Sequence, residues 1–175
     1  MTIDEMYNNL CQKRSDIFKH LPDLKRYSSM SEHVTEFGIR KGNSTVALLA
    51  GKPKKLISYD TRPRIRYDLL QELAKPTEFI VIVKNVLDVI IEPTDFLFID
   101  TYHTYTQIKK ELELHGNVPR KFLAFHDTRT YGYRGKDKKK PGLMAGINEF
   151  IDLNPHWKID LIKRNNNGFI VLIRE

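Results

Sequence analysis

The chain has 175 residues, of which 41% are hydrophobic and 29% are charged, a composition typical of a single soluble globular domain. No segment approaches the ~18 consecutive apolar residues of a membrane span, and the polar, acidic N-terminus does not resemble a signal peptide. We therefore expect a cytoplasmic protein without a membrane partner. The net charge of +7 favours acidic partners, and the single cysteine, Cys11, excludes an internal disulfide, as is usual in a reducing compartment.

Apolar runs of helical and strand type alternate along the chain, which predicts an α/β fold. The first 30 residues are predicted to form a helical extension, with a helix over 3–20 that stops at Pro22 and a polar turn at 28–31. Strands are predicted at 33–37, 55–59, 78–83, 95–99, 121–125, 157–162 and 169–173, and helices at 46–50, 64–75, 104–116 and 143–151, whereas 86–91 suits either.

The last two predicted strands are joined by an Asn- and Gly-rich loop over 163–168, which is typical of a β-hairpin. The preceding strands alternate with helices and should therefore be parallel. We predict one domain over residues 1–175, with a mostly parallel seven-stranded sheet, an antiparallel C-terminal hairpin and helices on both faces.

A glycine turn follows the first predicted strand. Gly38 and Gly42 permit positive φ and let a ligand approach the bare backbone. The polar residues at 43–45 suit a helix start, whose free N–H groups favour polar or anionic ligand groups. Asp60 follows the second strand about 20 residues further on, the spacing that places a carboxylate on a ribose hydroxyl. An ordinary βα turn is the alternative.

Polar residues lie at or just after the ends of five of the predicted strands. Because the carboxyl ends of parallel strands meet at one edge of a sheet, we expect these side chains to form a single ligand site. They are Glu36, Asp60, Asn85, Asp100 and the pair His126–Asp127.

Three ordered motifs resemble those of the class I S-adenosylmethionine-dependent methyltransferases. They are Glu-Phe-Gly with Gly-Asn-Ser-Thr at 36–45, Phe-Ile-Asp with a histidine and a tyrosine at 98–105, and His-Asp-Thr at 126–128. From about residue 30 onwards, the chain is most similar to the small branch that includes catechol-type and macrolide-sugar O-methyltransferases. The resemblance implies a Rossmann-like methyltransferase fold, S-adenosyl-L-methionine as cofactor and methyl transfer as the activity.

The resemblance also implies roles for the matching residues. The turn from Glu36 to Gly42 would contact the methionine part of the cofactor, Asp60 the ribose, and Asn85 the adenine region. The implied metal ligands are Asp100, His126 and Asp127. The implied cofactor-binding set is Glu36, Phe37, Gly38, Gly42, Asn43, Ser44, Thr45, Asp60, Asn85 and Asp100.

Two stretches depart from the family pattern. Residues 101–105 replace a frequent Gly-Asp-His-Ser-Tyr, which bears on the substrate. Residues 117–120 replace the usual Gly-Gly before the fifth strand, which reshapes a loop.

The chemistry of methyl transfer gives these residues expected roles. An in-line displacement from a sulfonium depends largely on positioning, and a divalent metal on Asp100 and Asp127 would orient a hydroxyl and lower its pKa. The expected catalytic residues are Asp100 and the proton acceptor, His103 or His126. A His126 ligand would favour Mn²⁺, Fe²⁺ or Zn²⁺ over Mg²⁺.

Each of these assignments has a structural alternative. Asp100 suits a helix cap, His126 suits a hydrogen bond to the backbone, and His103 suits packing on Tyr105. The four remaining histidines are expected to be structural or exposed: His20, His33, His115 and His156.

The loop at 129–140 contains six basic residues, one acid and two tyrosines. Such loops suit phosphate and stacking contacts, so we expect a small hydroxylated acceptor with an anionic group, such as a nucleotide-linked or acidic sugar. A solvated loop is the alternative. Two other function classes are a nucleic-acid-binding module and a metal-dependent hydrolase that uses Asp100, His103, His126 and Asp127. The sequence leaves the oligomeric state open, a homo-oligomer included.

Overall fold

The structure is a computed structural model that describes residues 1–63 and 67–175. Its helices are α1 (Ile3–Gln12), α2 (Leu21–Ser29), α3 (Asn43–Ala50), α4 (Tyr67–Leu73), α5 (Tyr105–His115) and α6 (Leu143–Leu153). Its strands are β1 (His33–Phe37), β2 (Lys55–Asp60), β3 (Glu78–Val83), β4 (Thr94–Ile99), β5 (Pro119–His126), β6 (Trp157–Lys163) and β7 (Phe169–Arg174). Short 3-10 turns occupy Phe18–His20 and Val86–Asp88. The first three residues of the helix predicted at 64–75 lie outside the described ranges.

The seven strands form one sheet in the order β3-β2-β1-β4-β5-β7-β6. Neighbours from β3 to β5 are parallel, and β7 runs antiparallel to both β5 and β6. The predicted sheet and its closing hairpin are thus confirmed. The chain order reverses between β1 and β4, whose last residues Phe37 and Ile99 lie side by side. Ligands of open α/β sheets bind beside such a switch point.

Each face of the sheet carries its own hydrophobic layer, because successive side chains of a strand point to opposite faces. In β4, Phe96 and Phe98 pack in one layer with α1, α2 and α3. Leu97 and Ile99 pack in the other layer with α5 and α6. All four side chains are buried, so β4 is a central strand and the residue after it, Asp100, is held rigidly.

The first 30 residues contain two helices, so the single helix predicted over 3–20 is wrong. The chain leaves helical geometry at Lys13, whose ψ is 118°. Pro22 lies in the first turn of α2, where its missing N–H is not needed, so it begins a helix instead of ending one. This helix continues through Ser29, and the turn predicted at 28–31 therefore starts later. Leu21 and Leu24 are fully buried against the sheet. Among the described residues, no helix has the length and apolarity that crossing a membrane requires.

Candidate functional site

A cleft of about 1020 Å³ opens at the carboxyl edge of the sheet. It extends from the ends of β1 and β2, past the end of β4, to the loop after β5. The structure brings most of the predicted site residues together along this cleft. The predicted residues that line it are Gly38, Asn43, Ser44, Asp60, Asn85, Asp100, His103 and Asp127.

The glycine turn passes tightly over the end of β4. Gly38 has a φ of +93°, and a Cβ at this position would lie 2.1 Å from the carbonyl oxygen of Asp100. Gly42 has a φ of +78° and directly precedes α3. Both positions therefore favour glycine: Gly42 because of its backbone conformation, and Gly38 because of its conformation and the lack of space for a Cβ.

Glu36 anchors this turn from below. Its side chain is fully buried and accepts hydrogen bonds from the hydroxyls of Ser44 (2.6 Å), Thr45 (2.8 Å) and Ser58 (2.6 Å). Burial raises the pKa of Glu36 to about 7, although the three hydroxyls partly offset this effect. Glu36 thus ties β1, β2 and the start of α3 together. Four members of the predicted cofactor set do not line the cleft: Glu36, Phe37, Gly42 and Thr45.

Asp60 holds the glycine turn from the side. Its Oδ2 accepts the backbone N–H groups of Ile39 and Arg40, both at 2.8 Å. Its Oδ1 accepts the N–H of Arg62 at 2.7 Å. A carboxylate has about four lone-pair sites, so three are in use and about one remains for a ribose hydroxyl. A contact of Asp60 with both ribose hydroxyls would need the turn to shift.

Asp100, His103 and Asp127 form a compact cluster at the other end of the cleft. The Nε2 of His103 lies 2.9 Å from Oδ1 of Asp100 and 3.0 Å from Oδ2 of Asp127. Its ring stacks on Tyr131, with centroids 4.9 Å apart, and not on Tyr105. One ligand atom from each of the three residues lies within 4.8 Å of the others, a spacing that suits one metal ion. The N-cap of α5 is Thr104, so Asp100 does not cap that helix.

His126 lies beside this cluster and is buried. Its Nε2 is 3.3 Å from the carbonyl oxygen of Asn166, which can only accept, so Nε2 carries the hydrogen. Its Nδ1 therefore faces Asp100 Oδ2 at 3.5 Å and Asp127 Oδ1 at 3.6 Å. Within the described residues, Nδ1 of His126 and Oδ1 of Asp127 are buried without hydrogen-bond partners.

These orphaned atoms fit a bound cation. A histidine that ligates a metal commonly donates its other N–H to a carbonyl, as His126 does to Asn166. The predicted ligands Asp100, His126 and Asp127 thus converge, and the structure adds His103 to the candidates. The mixed donor set suits Mn²⁺, Fe²⁺ or Zn²⁺.

The two carboxylates have opposite pKa shifts. Burial raises the pKa of Asp100, but the neighbouring imidazoles of His103 and His126 outweigh it and hold this pKa well below its ordinary value. Burial also raises the pKa of Asp127, which the two histidines do not fully offset. Burial lowers the pKa of His126, but the negative charges of Asp100 and Asp127 raise it by more, so the net shift is upward. Asp127 also has a φ of +59°, which is uncommon for a residue other than glycine.

Asn166, in the β6–β7 loop, supports His126 from behind. Its side chain accepts from the N–H of Lys19 at 2.8 Å and donates to the carbonyl of Ser15 at 2.9 Å. Its backbone carbonyl lies 3.1 Å from Nε2 of His20, in addition to its contact with His126. From its sequence, this loop was predicted only to close a β-hairpin. Its Asn and Gly composition indicated positive φ but not these contacts, which span up to 151 residues.

The segment over 13–17 is a part of the cleft that the sequence analysis missed. Lys13 and Arg14 line the cleft, and Asp16 pairs with Arg40 of the glycine turn at 2.6 Å. The helix predicted over 3–20 covered these residues, and their basic charge was the only signal of a site. Of the loop at 129–140, Tyr131 and Lys136 line the cleft.

Comparisons with known proteins identify the fold. The sequence matches no protein-family model, and no curated protein matches it. The structure is similar to an O-methyltransferase from Bacillus cereus in complex with SAH, with a TM-score of 0.68 and 18% identity over 99% of this chain and 90% of that chain. It is also similar to an SAH-bound methyltransferase from Podospora anserina, with a TM-score of 0.66 and 10% identity over 99% of this chain and 87% of that chain.

A third similar structure is the N-methyltransferase NodS from Bradyrhizobium japonicum WM9 in complex with S-adenosyl-L-homocysteine. Its TM-score is 0.65, with 14% identity over 94% of this chain and 90% of that chain. The chain therefore has the class I methyltransferase fold, as the sequence motifs predicted. These neighbours include both O- and N-methyltransferases, so the fold leaves the acceptor atom undetermined.

Proposed function

We propose that this protein is an S-adenosylmethionine-dependent methyltransferase that methylates a hydroxyl group of a small acceptor. The observation that carries the proposal is the glycine turn beside the acid–histidine cluster, in one cleft at the switch point of the sheet. The turn offers bare backbone at Gly38 and the N-terminus of α3 to a polar ligand. Several structures of the same fold are complexes with S-adenosylhomocysteine, the product that methyl transfer leaves, which supports this cofactor.

The acid–histidine cluster would prepare the acceptor hydroxyl. Asp100 and Asp127, with His126 or His103, would hold a divalent metal, whose charge would lower the pKa of a bound hydroxyl. The Nε2 of His103 contacts Asp100 and Asp127, and with a metal on these two acids it would be free to take the hydroxyl proton. The stack on Tyr131 fixes the plane of this ring and so its direction of approach.

The charges in the cleft favour an acceptor with an anionic group, such as a nucleotide-linked or acidic sugar. All four cleft acids are engaged, Asp16 with Arg40, Asp60 with backbone amides, and Asp100 and Asp127 with histidine. Five cleft cations have no acidic partner among the described residues: Lys13, Arg14, Lys41, Lys84 and Lys136. S-adenosylmethionine is itself a cation at neutral pH, so it does not balance this charge.

Calorimetric titration with S-adenosylhomocysteine tests the cofactor assignment. We expect saturable binding of one molecule, weakened by Asp60→Ala through loss of the turn and of its remaining acceptor site. A metal-dependent hydrolase would be stabilised by metal alone and would not bind S-adenosylhomocysteine. A nucleic-acid-binding module would bind oligonucleotides with a steep salt dependence and ignore the cofactor. Either result would overturn the proposal.

Matched charge reversals test the acceptor class. Inorganic pyrophosphate, titrated into protein saturated with S-adenosylhomocysteine, should bind less tightly to Lys13→Glu/Arg14→Glu than to the unmodified protein. The control Lys138→Glu/Lys139→Glu makes the same charge change outside the cleft and should have little effect. Equal weakening by both variants would indicate general electrostatic attraction and would contradict an anion site in the cleft.

A further inference from the structure

The sheet ends in two edge strands, β3 and β6, and their sequences differ in how they resist pairing with another chain. An exposed edge strand offers unpaired N–H and C=O groups to any extended segment, and natural proteins commonly interrupt such an edge with charges or a bulge. In β6, the register with β7 shifts between Ile159 and Leu161, and charged residues occupy positions 158, 160 and 163. The edge at β6 therefore has both kinds of protection.

The strand β3 has neither. Its register with β2 is continuous from Glu78 to Val83, and the five residues over 79–83 are all apolar. Val83 is 56% exposed, and the residues over 80–82 are only partly buried. Ile90, in the segment that follows β3, is 98% exposed. A regular apolar edge of this kind is a template for strand pairing, so a partner strand is expected at β3.

The outer edge of β3 has backbone groups available for such a partner. The N–H of Glu78 donates to the segment before β2, so Glu78 faces the sheet. Because the backbone groups of successive strand residues point to opposite edges, those of Phe79, Val81 and Val83 point away from β2. The carbonyl of Phe79 accepts from Nε2 of Gln71 at 3.0 Å, which agrees with this direction. A carbonyl oxygen has two lone pairs, so it can accept a second hydrogen bond.

The charges at the two ends of β3 match those of a second copy of the same strand. Glu78 and Lys84 are exposed, and each lies three residues from Val81. Neither forms an ion pair within the described residues. When two copies of β3 run antiparallel about Val81, Glu78 of each copy lies opposite Lys84 of the other, and Ile80 lies opposite Ile82. Opposite charges and apolar side chains in directly opposed positions stabilise an antiparallel pair.

We propose that two copies of this protein associate through β3, with the two strands antiparallel about a two-fold axis at Val81. The two sheets then form one continuous sheet across the interface. A two-fold interface needs a surface that is complementary to itself, and the apolar strand with Glu78 at one end and Lys84 at the other provides it. The backbone hydrogen bonds would supply affinity, and the end charges would fix the register. The inference does not depend on which reaction the cleft catalyses.

The dimer would also place a charge of the partner beside each cleft. Lys84 follows the end of β3 and lines the cleft next to Asn85. In the antiparallel pair, the carboxylate nearest to Lys84 comes from Glu78 of the second copy. Each copy would thus complete the charge balance at the adjoining end of its partner's cleft.

Charge reversals at the ends of β3 test both the association and its register. Sedimentation velocity at a series of protein concentrations gives the Kd of the dimer. Glu78→Lys creates two pairs of like charges in each dimer, so it should raise the Kd by at least about tenfold. Lys84→Glu should do the same. The combined variant Glu78→Lys/Lys84→Glu exchanges the two charges and should recover most of the affinity.

The control is Glu113→Lys, which makes the same charge change as Glu78→Lys at an exposed position on α5 and should leave the Kd unchanged. A protein that stays monomeric at every concentration, or a dimer whose Kd is unaffected by Glu78→Lys, would overturn the proposal. A combined variant as weakly associated as the two single variants would overturn the antiparallel pairing about Val81.

Amide hydrogen exchange of the unmodified protein provides a second readout that needs no variant. Because the outward N–H groups of β3 become hydrogen-bonded in the dimer, their exchange should slow as the protein concentration rises. Exchange in β6 should stay the same. Slowing in β6 with no change in β3 would place the interface at the other edge of the sheet and overturn the proposal.

Discussion

The buried carboxyl of Glu36 gives the stability of this protein a specific pH dependence. Its pKa rises from an ordinary value of 4.5 to about 7 in the folded chain. Between these two pH values, the folded state holds a proton that the unfolded state has released. The unfolded state thus binds fewer protons, and the free energy of unfolding falls as pH rises. At about 1.36 kcal/mol per pKa unit, Glu36 alone should lower it by about 3 kcal/mol from pH 4.5 to about 7.

The substitution Glu36→Gln removes this titration while keeping the side-chain shape. Urea unfolding at several pH values, followed through the single tryptophan, Trp157, measures the free energy of unfolding of both proteins. Because Trp157 is fully buried, its emission should report global unfolding. We expect the variant to lack the part of the pH-dependent loss that Glu36 causes.

A matched control is Glu32→Gln, which changes a surface glutamate paired with Lys54, with 66% of the Glu32 side chain exposed. This variant should keep the pH profile of the unmodified protein. Glu111, whose pKa burial also raises to about 7, contributes a similar slope to all three proteins and cancels in the comparison. Parallel profiles for Glu36→Gln and the unmodified protein would refute the reasoning that burial raises the pKa of Glu36.

The turn, the acid cluster and the hairpin loop each give a further test. Gly38→Ala places a Cβ against the carbonyl of Asp100, so it should lower stability by more than about 1 kcal/mol in urea and abolish calorimetric binding of S-adenosylhomocysteine; normal binding would contradict the tight turn. Asp127→Asn should remove the thermal stabilisation by Mn²⁺ but keep that by S-adenosylhomocysteine, and an unchanged Mn²⁺ effect would refute a metal there. Asn166→Ala should lower the free energy of unfolding in urea by about 1–3 kcal/mol. Asn166→Gly also lacks the side chain but tolerates the positive φ of +45°, so it should recover part of this loss. Equal losses for the two variants would show that this φ is not strained.

The sequence predicted the sheet well because its central strands are unambiguous. The four residues before Asp100, 96–99, are all apolar, as a strand buried on both faces requires, and the structure buries each residue of β4. The predicted strand ends also indicated where the cleft lies, because parallel strands place their last residues at the same edge of the sheet. The N-terminal helices were harder to predict, because a proline that ends one helix and a proline that begins the next have the same local signature.

The roles of individual site residues were less visible, because they depend on contacts that are distant in sequence. Glu36 carries the charge expected of a ligand-binding residue, yet its three hydroxyl donors come from α3 and β2 and enclose it below the cleft. Asn166 has the composition of a turn residue, and only the fold brings it to His126 and to the N-terminal segment. Glu111 lies on the buried face of α5, whereas a glutamate in a helix is ordinarily exposed.

A crystal structure of the protein with S-adenosylhomocysteine tests the central claim most directly. The account predicts density for the homocysteine part against the turn at Gly38, a ribose hydroxyl within hydrogen-bond distance of Asp60, and the adenine beside Asn85. The acid–histidine cluster should remain open to an acceptor next to the sulfur. Binding of S-adenosylhomocysteine elsewhere on the molecule, or a cleft left without it at saturating concentration, would contradict the proposed methyltransferase function.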